Sequence, residues 1–536
     1  MRFKQKLFVS SVLGVCGGAF GLAGPAHAFK VYDGADSGQN NVEINLTTTL
    51  SYTGIFRTNN PSKVLTGPAE LNSSEGDLDH AHGLVSDEFE ILPVLDIRDG
   101  AYGAHFSGEG YVNTVYLGTN QFSQASTLNP ISVAKINDYT SATRNVEGLN
   151  ARVLDAFVYG GTNFGANGAQ SLRWKIGRQT LLWGQSLYLS NNGIAAGMSS
   201  FDVITADNNP NAQTQQTIQP TGQVVVTYQP DQTFTLQGYY QFQWEPDYLE
   251  GVGGYFSSSD ILDAGGQRIL FGPNFGALRT KDIRPPSQNG QFGASLQLQL
   301  GNDDIGFYGL RYDSKSPTVY TNISNLTYAV VYPRDIWIEG AALSTTLGAS
   351  NVAGEWSFRQ HMPLVSTPIL VTSPTQAENV NGSPLYATGS TMAAQASMIY
   401  LSPSLPFDPG GISVSAEVGF NHVLSVNQND QTISGRNSSA ANMQGVITPT
   451  YYDVYPNLVL TFPIGLAYGL FGRSMIDSTE NHGTGHVNFG VTATYKVNWI
   501  ASVTFQDYIG APNPNLGGEP AIADRNFVLI NAQHSF

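Results

Sequence analysis

Asn526-Phe527-Val528-Leu529-Ile530-Asn531-Ala532-Gln533-His534-Ser535-Phe536 is the stretch that decides the fold. Val528, Ile530, Ala532 and Phe536 fall on every second position, so a strand carries them on one face and turns Asn531, Gln533 and Ser535 to the other. One face suits lipid and the other suits water. In hydrocarbon a sheet satisfies its backbone only by closing on itself, which makes this the closing strand of a barrel.

The other end of the chain agrees. Arg2, Lys4 and Lys6 precede an apolar run over residues 7–23, and Ala26-His27-Ala28 makes a small-x-small cleavage site before Phe29, the pattern of an export signal. The expected organisation is a signal peptide over residues 1–28 and a single barrel domain over residues 29–536. Cys16 is the single cysteine, and Val15 before it is too large for a lipoprotein cleavage box. The mature chain is therefore expected to carry neither disulfide nor lipid anchor. Behind such a signal, the terminal aromatic strand resembles the C-terminal signature of bacterial outer-membrane proteins. That resemblance implies delivery to the barrel-insertion machinery and a home among outer-membrane lipids and lipopolysaccharide.

After the signal nothing approaches 18 unbroken apolar residues, and mean hydropathy is −0.14, so helical spanning is excluded. Barrel strands hide their hydrophobicity in alternation, and 11% aromatic, 58 Gly and only 12% charged residues suit a lipid-facing sheet with many turns. Without the signal the chain has 22 basic against 41 acidic residues, a net charge of −19. Nucleic acid is excluded as a partner by that balance.

Ile44, Leu46, Leu50, Tyr52 and Phe56 alternate with polar residues to give a first strand. Further strands are expected near 89–98, 102–113, 151–159, 171–180, 222–229, 233–244, 290–300, 305–312, 336–346, 351–359, 391–401, 412–423, 451–462, 465–475, 485–496 and 497–507. With the closing strand, the fold class is all-β, a transmembrane antiparallel barrel of about 18 strands, 16 being the alternative. Connections alternate short (99–100, 230–232, 301–303, Pro463) and long (57–85, 181–221, 246–289). Short periplasmic turns and long external loops produce that parity.

In the strand near 233–244, Phe234, Leu236, Tyr240, Phe242 and Trp244 share one face and Gln237, Gln241 and Gln243 the other. Inward glutamines imply a wet lumen, because a packed apolar interior would leave their amides unsatisfied. The lumen-lining candidates are Glu90, Glu109, Arg152, Asp155, Arg173, Lys175, Gln237, Gln241 and Gln243. If Asp99-Gly100 forms a two-residue turn, Arg98 pairs with Ala101 and Glu90 falls opposite Glu109. Arg152, Arg173 or Lys175 is then expected to neutralise the two carboxylates. In the first long connection, Asp77-Leu78-Asp79-His80-Ala81-His82 is compatible with a cation, but the favoured reading is a solvated acidic loop. No catalytic, metal or cofactor motif is evident.

The segment Arg173-Trp174-Lys175-Ile176-Gly177-Arg178-Gln179-Thr180-Leu181-Leu182-Trp183-Gly184-Gln185-Ser186 starts as a strand and runs into a long, partly apolar connection through Leu187, Ile194, Phe201 and Val203 to Pro220. Such a loop should not lie in water. It either folds into the lumen near 181–221 as a constriction or packs on its neighbours at the rim. With Asp260–Arg268 and Gln243-Trp244-Glu245-Pro246, this segment resembles a proteobacterial envelope family catalogued as a domain of unknown function, the thirteen-hundred-and-second. The resemblance covers most of the mature chain. It implies an outer-membrane barrel, a role with hydrophobic or lipid-like molecules, and an association with exporters of the resistance-nodulation-division type. It brings no catalytic residues.

The function expected is an outer-membrane channel or transporter for small molecules, with no enzymatic activity and no cofactor. The other classes are a structural or assembly component of an envelope export system and, last, a barrel hydrolase. The histidines at 361, 422, 482 and 486 lack a spaced catalytic partner.

Overall fold

Alternating sequences pair into one closed antiparallel sheet. The computed structural model describes residues 29–34 and 41–536 apart from 68–69, 263, 286, 367–368, 373–382 and 403–409; the expected signal peptide lies outside them. Strands β1 (Val42–Arg57), β2 (Gly83–Asp99), β3 (Tyr102–Asn113), β4 (Leu149–Phe164), β5 (Gln170–Gln179) and β6 (Thr221–Gln229) come first. They are followed by β7 (Phe234–Gln241), β8 (Gln291–Leu300), β9 (Asp303–Tyr312), β10 (Ile336–Leu347), β11 (Ser350–Pro363) and β12 (Thr388–Leu401). The ring is completed by β13 (Ile412–Gln428), β14 (Ser439–Tyr455), β15, β16 (Gly485–Tyr495), β17 (Trp499–Ile509) and β18 (Phe527–Ser535), with β15 split into Leu458–Thr461 and Ile464–Phe471. The closed sheet thus has 18 barrel strands, the larger of the two counts the alternation allowed.

The seam closes between β18 and β1, from Arg57↔Phe527 to Thr49↔Ser535. Thr48 and Phe536 then exchange backbone hydrogen bonds of 2.9 and 3.0 Å. A short N-terminal strand, Phe29–Asp33, continues the pairing along β1 at Leu46 to Glu43. Outward positions carry large apolar side chains that remain exposed, among them Phe89, Ile91, Leu236, Tyr240, Trp356 and Ile530. Their inward neighbours Glu90, Tyr239, Glu355 and Asn531 are buried. An apolar exterior around a polar interior is the pattern of a membrane barrel. No helix among the described residues is long and apolar enough to cross a membrane.

Three differences from the sequence reading have physical causes. The turn expected at Pro463 lies instead between Tyr455 and Leu458, where Asn457 adopts a φ of 64°. Residues 439–450, expected in a loop, are therefore the first part of β14, and Pro463 merely interrupts β15 because it has no N–H for the ladder. Second, β7 ends at Gln241, so Trp244 does not join the outward face. It is buried and packs edge-on against Tyr332 at 5.0 Å. Third, the long connections are not irregular throughout. Arg268–Gly272, Phe275–Arg279, Thr318–Asn322, Thr327–Val331 and Ile369–Val371 pair across three of them into a five-stranded mixed sheet.

Candidate functional site: a segment across the lumen

Residues 180–220 leave the wall after β5 and return at β6. Thr180 Oγ1 donates to the Ile218 carbonyl at 3.2 Å and so ties the two ends together. Trp183 then packs on the inner wall, 5.0 Å from the Tyr239 ring and 5.8 Å from Tyr308, and its indole N–H donates 2.6 Å to Gln237 Oε1. Ile194 and Met198 complete an apolar cluster with Leu310, Tyr312, Ile336 and Ile338. The apolar residues that made this connection unsuited to water are thus buried against inward side chains of β7, β9 and β10.

Polar wall groups hold the rest. Glu355 on β11 accepts the backbone N–H groups of Gln185 and Ile194. Gly184, at φ 97°, lies so close to the Glu355 carboxylate that a Cβ would collide with it. Four positions along β11, Arg359 donates 3.0 and 2.8 Å to the carbonyls of Asn191 and Gly193. Glu417 on β13 accepts the N–H groups of Leu187, Tyr188 and Leu189 at 3.2, 2.6 and 2.7 Å. Two wall carboxylates therefore satisfy five backbone donors that would otherwise be buried without partners.

The returning half is anchored on the opposite wall. Helix Val203–Asn208 is N-capped by Asp202, which accepts from Thr205 N–H at 2.8 Å. Arg152 on β4 donates from Nε and Nη2 to Glu109 at 3.1 and 2.8 Å, and from Nη1 to Asp202. It thereby joins wall and segment. Glu90 accepts from the side-chain amides of Asn209, at 2.7 Å, and Gln216. Asn531 on the closing strand accepts from Asn211 at 2.7 Å.

The expected register of β2 and β3 is corrected by these strands. Asp99 pairs with Tyr102, and Glu90 lies opposite Tyr111, not Glu109. Of the two turn residues Gly100 and Ala101, only Gly100 takes a positive φ, 58°, which places glycine first in the loop rather than second. The slip is two residues, so both carboxylates keep their inward face. Glu109 pairs across to Arg152 on β4, whereas Glu90 is met by amides.

The remaining candidates divide. Gln237 and Gln241 both touch the segment, Gln241 Nε2 donating 2.7 Å to the Met198 carbonyl. Asp155 bonds Ser107 on β3 and lies 3.9 Å from His105 Nε2. Arg173 and Lys175 do not reach Glu90 or Glu109. Arg173 Nη2 donates 2.7 Å to Asn163 Oδ1, and Lys175 Nζ stands 5.0 Å over the Phe157 ring. Both border a cavity of about 100 Å³ shared with Gln179, Leu181, Val225 and Gln237. Gln243 lies beyond the strand end and donates to Glu245. Sequence reasoning missed Glu355, Arg359 and Glu417, although inward parity beside Trp356, Phe358 and Val418 was a usable signal.

At the long-loop end, Asp77–His82 is not a solvated loop. Asp77 is fully buried between Arg57 Nη2 at 2.8 Å and Arg525 Nε at 3.1 Å. These arginines hold its carboxyl below the ordinary range even though burial opposes them. His80 is buried against the Gly253 carbonyl and the Tyr139 hydroxyl at 3.0 and 3.1 Å, and burial lowers its pKa to about 3.

A family model matches residues 9–536, nearly the whole sequence. The chain belongs to the family described as a protein of unknown function, DUF1302. No curated protein matches the sequence. Solved structures similar to this DUF1302 chain include Acinetobacter baumannii OccAB1, at 12% identity and a TM-score of 0.44, covering 92% of this chain and 96% of that one. A BenF-like porin from Pseudomonas fluorescens Pf-5 follows at 11% and 0.43, covering 92% and 98%. Pseudomonas aeruginosa OpdK with vanillate is similar at 7% and 0.42, again covering 92% and 98%.

Proposed function

We propose that the protein is an outer-membrane channel for small molecules, with residues 180–220 as its constriction. The observation that carries this reading is the anchoring of one segment to inward side chains on β2, β4, β7, β11, β13 and β18. A loop so held lies across the passage. The apolar exterior and the export signal expected at residues 1–28 support an outer-membrane location, assembly by the insertion machinery and contact with lipopolysaccharide. No catalytic role is assigned to the barrel. A working link to an exporter of the resistance-nodulation-division type rests on family resemblance alone.

The lining favours polar solutes over the lipid-like molecules suggested by that resemblance. Inward apolar side chains are already covered by Trp183, Ile194 and Met198, while glutamate, arginine, glutamine and serine make up much of the remaining wall. Charges of both signs face inward, which suits modest rather than strong ion selectivity. Conductance of the purified protein in planar bilayers tests the reading. The wild type should conduct, and shortening residues 187–220 should raise the single-channel conductance. A silent bilayer with both forms, or equal conductance, would sink it.

A further inference from the structure

The cavity of about 100 Å³ at the root of segment 180–220 is bordered by both basic side chains of the inner face of β5, Arg173 and Lys175, by Thr227 and Gln237, and by the apolar Leu181 and Val225. Register brings them together. Arg173 pairs with Thr227 and Lys175 with Val225, and Thr227 pairs in turn with Gln237. The two cations stand two positions apart on one face, roughly 7 Å along the strand. Neither takes part in holding the segment.

Their charges are not neutralised by carboxylates. Arg173 donates from Nη1 to the Thr162 and Leu172 carbonyls at 3.0 and 3.1 Å and from Nη2 to Asn163 Oδ1 at 2.7 Å, all uncharged acceptors. Lys175 Nζ has the Phe157 ring at 5.0 Å and, among the described residues, makes no hydrogen bond or ion pair. The acid that acts on it, Asp155, is itself held by Ser107. The neutral groups are oriented to match. An indole N–H can only donate, so the 2.6 Å bond from Trp183 fixes Gln237 Oε1 as an acceptor and turns the amide nitrogen to Thr227 Oγ1 at 2.8 Å. Thr227 already accepts there and keeps its own hydroxyl proton to give. Among the described residues bordering the cavity there is no carboxylate.

We propose that this cavity is a binding subsite for a small organic monocarboxylate, whose charged end meets Lys175, Arg173 and the Thr227 hydroxyl and whose short apolar end lies against Leu181 and Val225. An ionised carboxylate only accepts hydrogen bonds, so it meets the donors that the fold leaves open. The full chain carries a net charge of −16, and two cations without acidic partners therefore make a local positive site that draws an anion against the overall field. Leu181 and Val225 reward a ligand with a few carbons over a fully hydrated ion. The part this subsite plays in passage rests on the channel reading, whereas the binding itself does not.

The test uses the full-length barrel in detergent at low chloride, titrated with butyrate, with its uncharged counterpart butyramide and with inorganic phosphate, and followed by calorimetry and saturation-transfer NMR. Butyrate should bind saturably, and butyramide at least about tenfold more weakly. Lys175→Gln and Arg173→Gln should each weaken butyrate binding at least about fivefold. Arg98→Gln, which removes a cation from the inner face of β2, should leave it unchanged. No saturable binding of butyrate, equal binding of butyramide, or Lys175→Gln and Arg173→Gln proteins that bind normally would overturn the proposal. So would an equal loss in Arg98→Gln, which would reduce the effect to the general field of the lumen, or phosphate binding as tightly as butyrate, which would leave Leu181 and Val225 without a part. If the variants fail to assemble, the wild-type titrations decide. A protein that binds butyrate yet is silent in bilayers keeps the site and loses the channel; one that conducts without binding it does the reverse.

Discussion

Arg152 is the residue at which wall and lumen segment meet, with side-chain exposure of 13% against 1% for Glu109 and 2% for Asp202. Removing one member of a buried, hydrogen-bonded set leaves the others charged and dry, so Arg152→Ala should cost about 3–5 kcal/mol. Loss of heat-modifiable barrel measures it. Combining Arg152→Met with Glu109→Gln and Asp202→Asn should recover most of that loss, and failure to recover would mean that the triad is not the cause. Glu480 gives a pH signature. Burial, then Asp477, raises its pKa to about 7, although Asn421 and Asn442 donate to it. Because the folded value lies above the ordinary 4.5, its stabilisation is complete below that pH and is lost as pH rises through about 7. Melting temperatures of the wild type should therefore fall over this window relative to Glu480→Gln; parallel curves would contradict the assignment.

At the scale of elements, the backbone of the first part of the segment, from Gln185 to Ile194, is held by Glu355 and Glu417. Replacing both by alanine strips acceptors from five buried or half-buried N–H groups, each worth about 1–3 kcal/mol when a buried one is left unmade. The barrel itself should still assemble, because those glutamates are not ladder partners of the segment. Protease should then cut within residues 180–200 and conductance should rise; resistance equal to wild type would show that the Trp183 cluster holds the segment by itself. The sequence already marked this connection as too apolar for water, through Leu187, Ile194 and Phe201. It did not distinguish lumen from rim, since that choice depends on Glu355 and Glu417, more than 160 residues away in the chain. The five-stranded outer sheet was equally hidden. Its strands are three to five residues long, and two of their pairings are parallel between separate connections.

For the whole molecule, the contrast between outer and inner faces is the decisive property. Leu236, exposed on the outside, should tolerate arginine badly, at a cost of up to about 4 kcal/mol near mid-membrane. Thr235, one position along and facing inward, should accept the same change with a smaller loss. Folding yields into lipid vesicles compare them, and equal yields would contradict the assigned faces.

Period-two alternation and the parity of short and long connections pointed by themselves to an antiparallel barrel of about 18 strands and to the inward and outward faces within each strand, because those faces follow from local geometry. Phe234, Leu236 and Tyr240 are outward and Gln237 and Gln241 inward, as their spacing alone requires. Register was less fully written, since Gly100 can occupy either turn position and a two-residue slip preserves every face. Only the tertiary structure decided that Glu109 meets Arg152, that Asp77 lies between Arg57 and Arg525, and that residues 180–220 cross the lumen. Each of these depends on charges and hydrogen-bond donors brought together by closure of the ring, over separations that no local pattern encodes.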